Sequence, residues 1–102
     1  MSTPEPAHLN NHQRDTLLQI FQHPTSRNVN WQAVLSLLGA AGSVELRQNG
    51  KYLVQVGGHN VVLRRPKSKD IDIQQVVDLR RMLTDAGYGV VVDELEAKGK
   101  EV

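Results

Sequence analysis

The chain has 102 residues, with 12 lysines and arginines against 11 aspartates and glutamates and a hydrophobic content of 39%. That is one domain of ordinary globular composition. It contains no cysteine, which excludes disulfide frameworks, thiol nucleophiles and thiolate metal sites.

Residues 1–11 are rich in Pro, Asn and Ser and are expected to be disordered. A short helix is predicted over 12–22, where Leu17, Leu18, Ile20 and Phe21 give one apolar side and Pro24 stops it. His23 to Arg27 read as a loop. Asn30 then caps a second helix, in which Trp31, Val34, Leu35, Leu38 and Ala41 recur at three and four. Gly42 is expected to end it as a left-handed C-cap.

Residues 43–65 read as a three-stranded antiparallel meander over about 43–48, 51–56 and 60–65. A two-residue loop at Asn49-Gly50 would set Leu46 opposite Leu53 and Val44 opposite Gln55, mixing the faces. A three-residue loop, Gln48-Asn49-Gly50, pairs Leu46 with Tyr52 and Val44 with Val54. It gathers Val44, Leu46, Tyr52, Val54 and Val56 on one face. The register therefore predicts a type I turn with Gly50 left-handed in a bulge. Arg47 then faces Lys51 directly, a pairing of like charges that an anion would relieve.

Gly57 to Asn60 form the second turn, and Pro66 to Asp70 a basic loop. The last helix is predicted over about 73–86, capped by Asp72 or Asp70 and stopped by Gly87. Its apolar arc holds Ile73, Val76, Leu79, Met82, Leu83 and Ala86. On the opposite arc Arg81 can pair with Asp78 and Asp85, while Arg80 lies at the margin, placed to project beside the sheet. Gly89 to Asp93 form at most a short extension, and residues 89–102 are expected to be a flexible acidic tail.

The fold class that follows is α+β: one domain over 12–88, a two-layer sandwich with helices on one face of a three-stranded antiparallel sheet, in the order α-β-β-β-α. No apolar run approaches the ~18 residues of a membrane span. Met1 to Pro6 lack a basic region leading into an apolar one, so no secretory signal is read and a cytoplasmic location is expected.

Charge is unevenly placed. Residues 1–43 balance, 44–81 carry eight cations against four acids, and 82–102 carry two cations against five acids. A basic middle points to an anionic partner. The candidate contacts are Arg47 and Lys51 on the first hairpin, with Arg64, Arg65, Lys67 and Lys69 around the basic loop. The acidic tail, Asp93 to Glu101, is a candidate cover for that basic face in cis.

The stretch from Arg47-Gln48-Asn49-Gly50-Lys51, through Arg65-Pro66-Lys67-Ser68-Lys69-Asp70-Ile71-Asp72-Ile73, to Leu79-Arg80-Arg81-Met82-Leu83-Thr84-Asp85-Ala86-Gly87-Tyr88 resembles the HicA family of toxin-like proteins. The resemblance covers roughly residues 30–88. It implies the double-stranded RNA-binding fold, an RNA ligand and an antitoxin-like protein partner. It also implies messenger-RNA interferase activity, but the family's catalytic histidine position is occupied here by Tyr52, and Arg65 stands where many members have a loop histidine.

Metal-independent RNA cleavage needs a base for the 2′-hydroxyl and an acid or cation at the leaving oxygen. Of His8, His12, His23 and His59, only His59 is a candidate for the missing base, and a plain turn residue is its simpler role. Tyr52 reads as a core-rim residue and Ser68 as a loop residue. His8 and His12 share i, i+4 spacing with no third ligand, so no metal is assigned. No cofactor motif is present. The sequence thus favours a HicA-like RNA-binding domain without the usual interferase activity. The alternatives are a protein-interaction module of a toxin–antitoxin-like pair and an interferase with a displaced base.

Overall fold

A computed structural model describes residues 8–100, of which 98–100 are described for the backbone alone. The elements run α1 (Asn11–Ile20), α2 (Trp31–Ala41), β1 (Ser43–Leu46), β2 (Lys51–Val56), β3 (His59–Arg64), α3 (Ile73–Asp85) and α4 (Tyr88–Lys100). The strands form one antiparallel sheet in the order β1-β2-β3. The fold is α+β, with the α-β-β-β-α order intact from α2 to α3.

The register is the one that the apolar pattern requires. Leu46 lies opposite Tyr52 and Val44 opposite Val54. Across the next ladder, Tyr52 meets Leu63 and Val54 meets Val61. Val54, Val56 and Leu63 are buried, while Glu45, Lys51, Gln55, Asn60, Val62 and Arg64 of the alternate set are exposed. The face with Val54, Val56 and Leu63 is covered in its centre, where α2 packs on β1 and β2 and α3 on β3, but not at the first hairpin, where Leu46 is 63% exposed. The other face is open. α1 and α4 pack chiefly on the helices, α1 against α2 and α3, and α4 against α3 and α1.

The caps explain where the helices begin. Asn30 accepts from the Ala33 N–H at 3.1 Å, and Asp72 from the Gln75 N–H at 2.8 Å. Gly87, at φ 96°, stops α3 in the left-handed region that glycine enters without a Cβ clash. In α2, Trp31, Val34, Leu37 and Leu38 are buried. Leu37 falls outside the predicted stripe because α1 covers a second side of this helix.

Several expectations are corrected. β1 ends at Leu46, and β3 starts at His59, opposite Val56, so the second turn is Gly57-Gly58 alone. Both glycines have positive φ, 55° and 83°, as a tight two-residue hairpin of this hand requires. In the first hairpin Gly50 is left-handed (φ 70°), but Asn49 is too (φ 66°), so the turn is not type I. Asparagine tolerates that region better than other residues with a side chain. Gly42 is not a left-handed cap: its φ is −168°. A Cβ there would overlap the Gln55 carbonyl oxygen, so glycine is required by the close approach of β2.

The domain is also larger than 12–88. Leu9 is buried, and Asn10 caps α1 in a reciprocal pair with Gln13, the two bonds being 2.8 and 2.9 Å. The part of the expected disordered N-terminus at 1–7 lies outside the described residues. Residues 88–100 are helical rather than a tail. Tyr88 and Val92 are buried, with Val91 and Leu95 half-buried, which is i, i+3, i+4, i+7 spacing. The valine run disguises that period as strand. Among the described residues, no helix is long and apolar enough to cross a membrane.

Candidate nucleic-acid interface

The basic loop between β3 and α3 is held by backbone bonds to the segment before α2. The Ile71 N–H donates to the Val29 carbonyl at 2.9 Å, and the Trp31 N–H to the Lys69 carbonyl at 2.8 Å, around an antiparallel bridge between Asn30 and Asp70. Val29 and Ile71 are buried beneath this clamp. Ser68 spends its hydroxyl locally, donating to the Asp70 carbonyl at 3.2 Å and accepting from the Asp70 N–H at 3.4 Å. The loop is thus fixed at both its backbone and its turn, so its cations are carried on a rigid support.

Arg64, Arg65 and Lys67 line a shallow concavity of about 530 Å³, together with Arg27 from the α1–α2 connector. Asp70 and Asp72 also line it, but Asp72 accepts from the Gln75 N–H as the α3 cap. The open sheet face continues the basic surface. Lys51 pairs with Arg64 across β2 and β3, and the Arg47 N–H donates to the Lys51 carbonyl at 2.6 Å. Arg47, just past β1, therefore continues the row that Lys51 and Arg64 form on β2 and β3. Like charges in such a row repel. Arg47 is eased by Glu45, at 3.4 Å, the one ion pair among the described residues. Both partners are more than half exposed, so the pair contributes little. Arg27, Lys51, Arg64, Arg65, Lys67 and Lys69 have no such partner within 4 Å among the described residues.

Of the six predicted contacts, Arg64, Arg65 and Lys67 line the concavity, while Lys51 and Arg47 adjoin it only through the pairing of Lys51 with Arg64. Lys69 is exposed beside the concavity but does not line it. Arg27 was missed, because it lies in a charge-balanced stretch and reaches the site only through the Val29–Ile71 pairing. Arg80 was misplaced. Its Nε donates to the Ile20 carbonyl at 2.9 Å, and one terminal nitrogen to the Gln22 carbonyl at 3.3 Å and the Thr25 hydroxyl at 3.0 Å. It satisfies carbonyls at the end of α1 instead of projecting beside the sheet. Arg81 forms no ion pair with Asp78 or Asp85 within 4 Å; the three line a separate hollow of about 250 Å³ with His59.

The catalytic candidates do not join the basic site. His59 opens β3, five residues from Arg64 at the other end of the strand, or about 16 Å at the extended rise. Tyr52 is half-buried on the helix-covered face, its ring edge-to-face with Trp31 at a centroid distance of 5.2 Å. No histidine lines the concavity. Among the described residues, no three His, Cys, Asp or Glu side chains group as a metal site.

Among the described residues, none of the acidic stretch lines the basic concavity. Asp93, Glu94 and Glu96 lie on α4, and Glu96 shares a groove with Asp15, Gln19 and His23 beside α1. No protein-family model matches the sequence, and no curated protein and no solved structure is significantly similar to it.

Proposed function

We propose that this chain is an RNA-binding domain that reads the phosphate backbone of a duplex and does not cleave it. The observation that carries the reading is the concavity lined by Arg64, Arg65 and Lys67, continuous with the row Arg47, Lys51 and Arg64 on the open sheet face. Exposed cations on such a scaffold, of which Arg47 alone has an acidic partner among the described residues, can position phosphates and 2′-hydroxyls by shape, with little reading of sequence. A stacking mode for single strands has no support. Trp31 and Tyr88 are buried, and Phe21 and Tyr52 are half-buried against the core. Binding without cleavage is supported by the placement of the base candidates: His59 does not line the concavity, and Tyr52 packs on Trp31. The HicA-like resemblance fits the same reading, with the binding surface kept and the catalytic position lost.

The test is anisotropy of a labelled short RNA duplex across a salt series, with the same samples run on a denaturing gel. The expected result is binding whose logarithm falls with log salt at about −0.9 per phosphate neutralised, with the RNA intact. Binding indifferent to salt would overturn the reading, and cleaved RNA would restore an interferase.

A second reading rests on a different observation. Val62 is 56% exposed and lies directly opposite Leu53 in the middle of the open face, beside Lys51 and Arg64. An acidic protein partner with an apolar centre, such as an antitoxin-like protein, fits that pattern. Absence of RNA binding at low salt would transfer the weight to it.

A further inference from the structure

We propose that Arg27 is a phosphate-contacting residue of the basic concavity, and that the α1–α2 connector is a second, prearranged wall of that site, held by Arg80. The inference rests on the RNA-binding reading and extends it to a segment outside the residues that suggested it.

Three observations carry it. First, Arg27 lines the same concavity as Arg64, Arg65 and Lys67, is exposed, and has no acidic partner within 4 Å among the described residues. Four cations around one hollow, with only Asp70 and Asp72 opposing them, leave an excess that an anion relieves. Second, the connector is not loose. The Gln19 side-chain amide donates to the Ser26 hydroxyl at 3.2 Å and to the Asn28 carbonyl at 3.1 Å, and the Asn28 N–H donates to the Ser26 hydroxyl at 3.3 Å. These bonds bracket Arg27 on both sides. Third, Arg80 reaches from α3 to the Ile20 and Gln22 carbonyls and the Thr25 hydroxyl, so it fixes the start of the connector. With the Val29–Ile71 bond fixing its end, the connector and the basic loop are held as facing walls. An arginine held this way loses less freedom on binding than one on a mobile loop. Arg80 is a positioning residue, since it acts through the connector and touches no ligand.

The experiment uses the full chain, the labelled RNA duplex and a salt series. Arg27→Ala is expected to weaken binding several-fold and to make the salt slope shallower by about 1. Arg27→Lys keeps the slope. Arg81→Ala, the same charge change on an exposed face away from the concavity, leaves both unchanged. Arg80→Ala weakens binding in the native background but adds nothing in the Arg27→Ala background, because it acts through that side chain. Thr25→Ala, which removes a single bond to Arg80, repeats the pattern more weakly should Arg80→Ala fail to fold. The inference fails if Arg27→Ala behaves like Arg81→Ala while the Arg65→Ala/Lys67→Ala double variant loses binding; the RNA reading then stands without Arg27. Additive losses for Arg80→Ala and Arg27→Ala overturn the positioning role. If the native chain shows no salt-dependent binding, the RNA reading falls and takes Arg27 with it.

Discussion

Gly39 and Gly42 sit three residues apart, the first inside α2 and the second at its end. Gly39 has open space where a Cβ would go, whereas at Gly42 a Cβ would overlap the Gln55 carbonyl of β2. Opposite outcomes follow. Gly39→Ala should stabilise the fold by about 0.5–1 kcal/mol, because alanine costs less backbone entropy in a helix. Gly42→Ala should destabilise it by about 1–3 kcal/mol, as overpacking against backbone does. Urea unfolding of both variants checks the pair, and equal shifts of one sign would refute the assignment. Gly42 was legible as a helix end, but its reason was not, since that reason is a carbonyl on another element. Tyr52 is the converse case. Alternation alone placed it on the core face, and its edge-to-face packing on Trp31 gives it a structural role. Tyr52→Phe should keep the ring contact and leave stability within about 0.5 kcal/mol and RNA binding unchanged. A large loss of RNA binding on removing the hydroxyl would return Tyr52 to the site.

At the level of elements, the sheet was the most legible part. Alternation fixes which side chains share a face, and one register alone puts Val44, Leu46, Tyr52 and Val54 together. The basic loop was legible as charge, because its cations are close in sequence. Its partner was not, because the Val29–Ile71 and Trp31–Lys69 bonds join segments about forty residues apart. Arg80 shows the same limit. Helical spacing put it at the margin of the apolar arc, but nothing local says that the end of α1 lies there. Its three bonds tie α1 and the connector to α3. Arg80→Ala should therefore lower stability by about 1.5–3 kcal/mol, the range for a hydrogen bond to a charged group, since the partner carbonyls are not all sealed from water. The check is the chemical unfolding midpoint, with Arg81→Ala as the exposed comparison. If both substitutions cost the same few tenths, Arg80 is not a latch.

Among the described residues, cations gather on the open sheet face and the β3–α3 loop, whereas Asp93, Glu94 and Glu96 lie on α4. The sequence shows the blocks but not their distance, and a valine-rich, acidic end reads naturally as a tail. The helix forms because Tyr88, Val91, Val92 and Leu95 share one side, and that side is needed to finish the layer beside α1 and α3. Two consequences separate the arrangements. Removing residues 89–102 takes away buried Val92 and uncovers the surface that it packs on, so stability should fall by at least about 2 kcal/mol, near the value of one buried aliphatic side chain. Removing a tail folded over the basic face would cost almost no stability and would steepen the salt dependence of RNA binding. Asp93, Glu94 and Glu96 of α4 line no part of the concavity, and interactions between exposed charges are screened over about 10 Å at ordinary salt. The truncated chain should therefore unfold at lower denaturant and still bind the RNA duplex with the native salt slope. A truncated chain of native stability that binds with a steeper slope would put the acids back over the basic face.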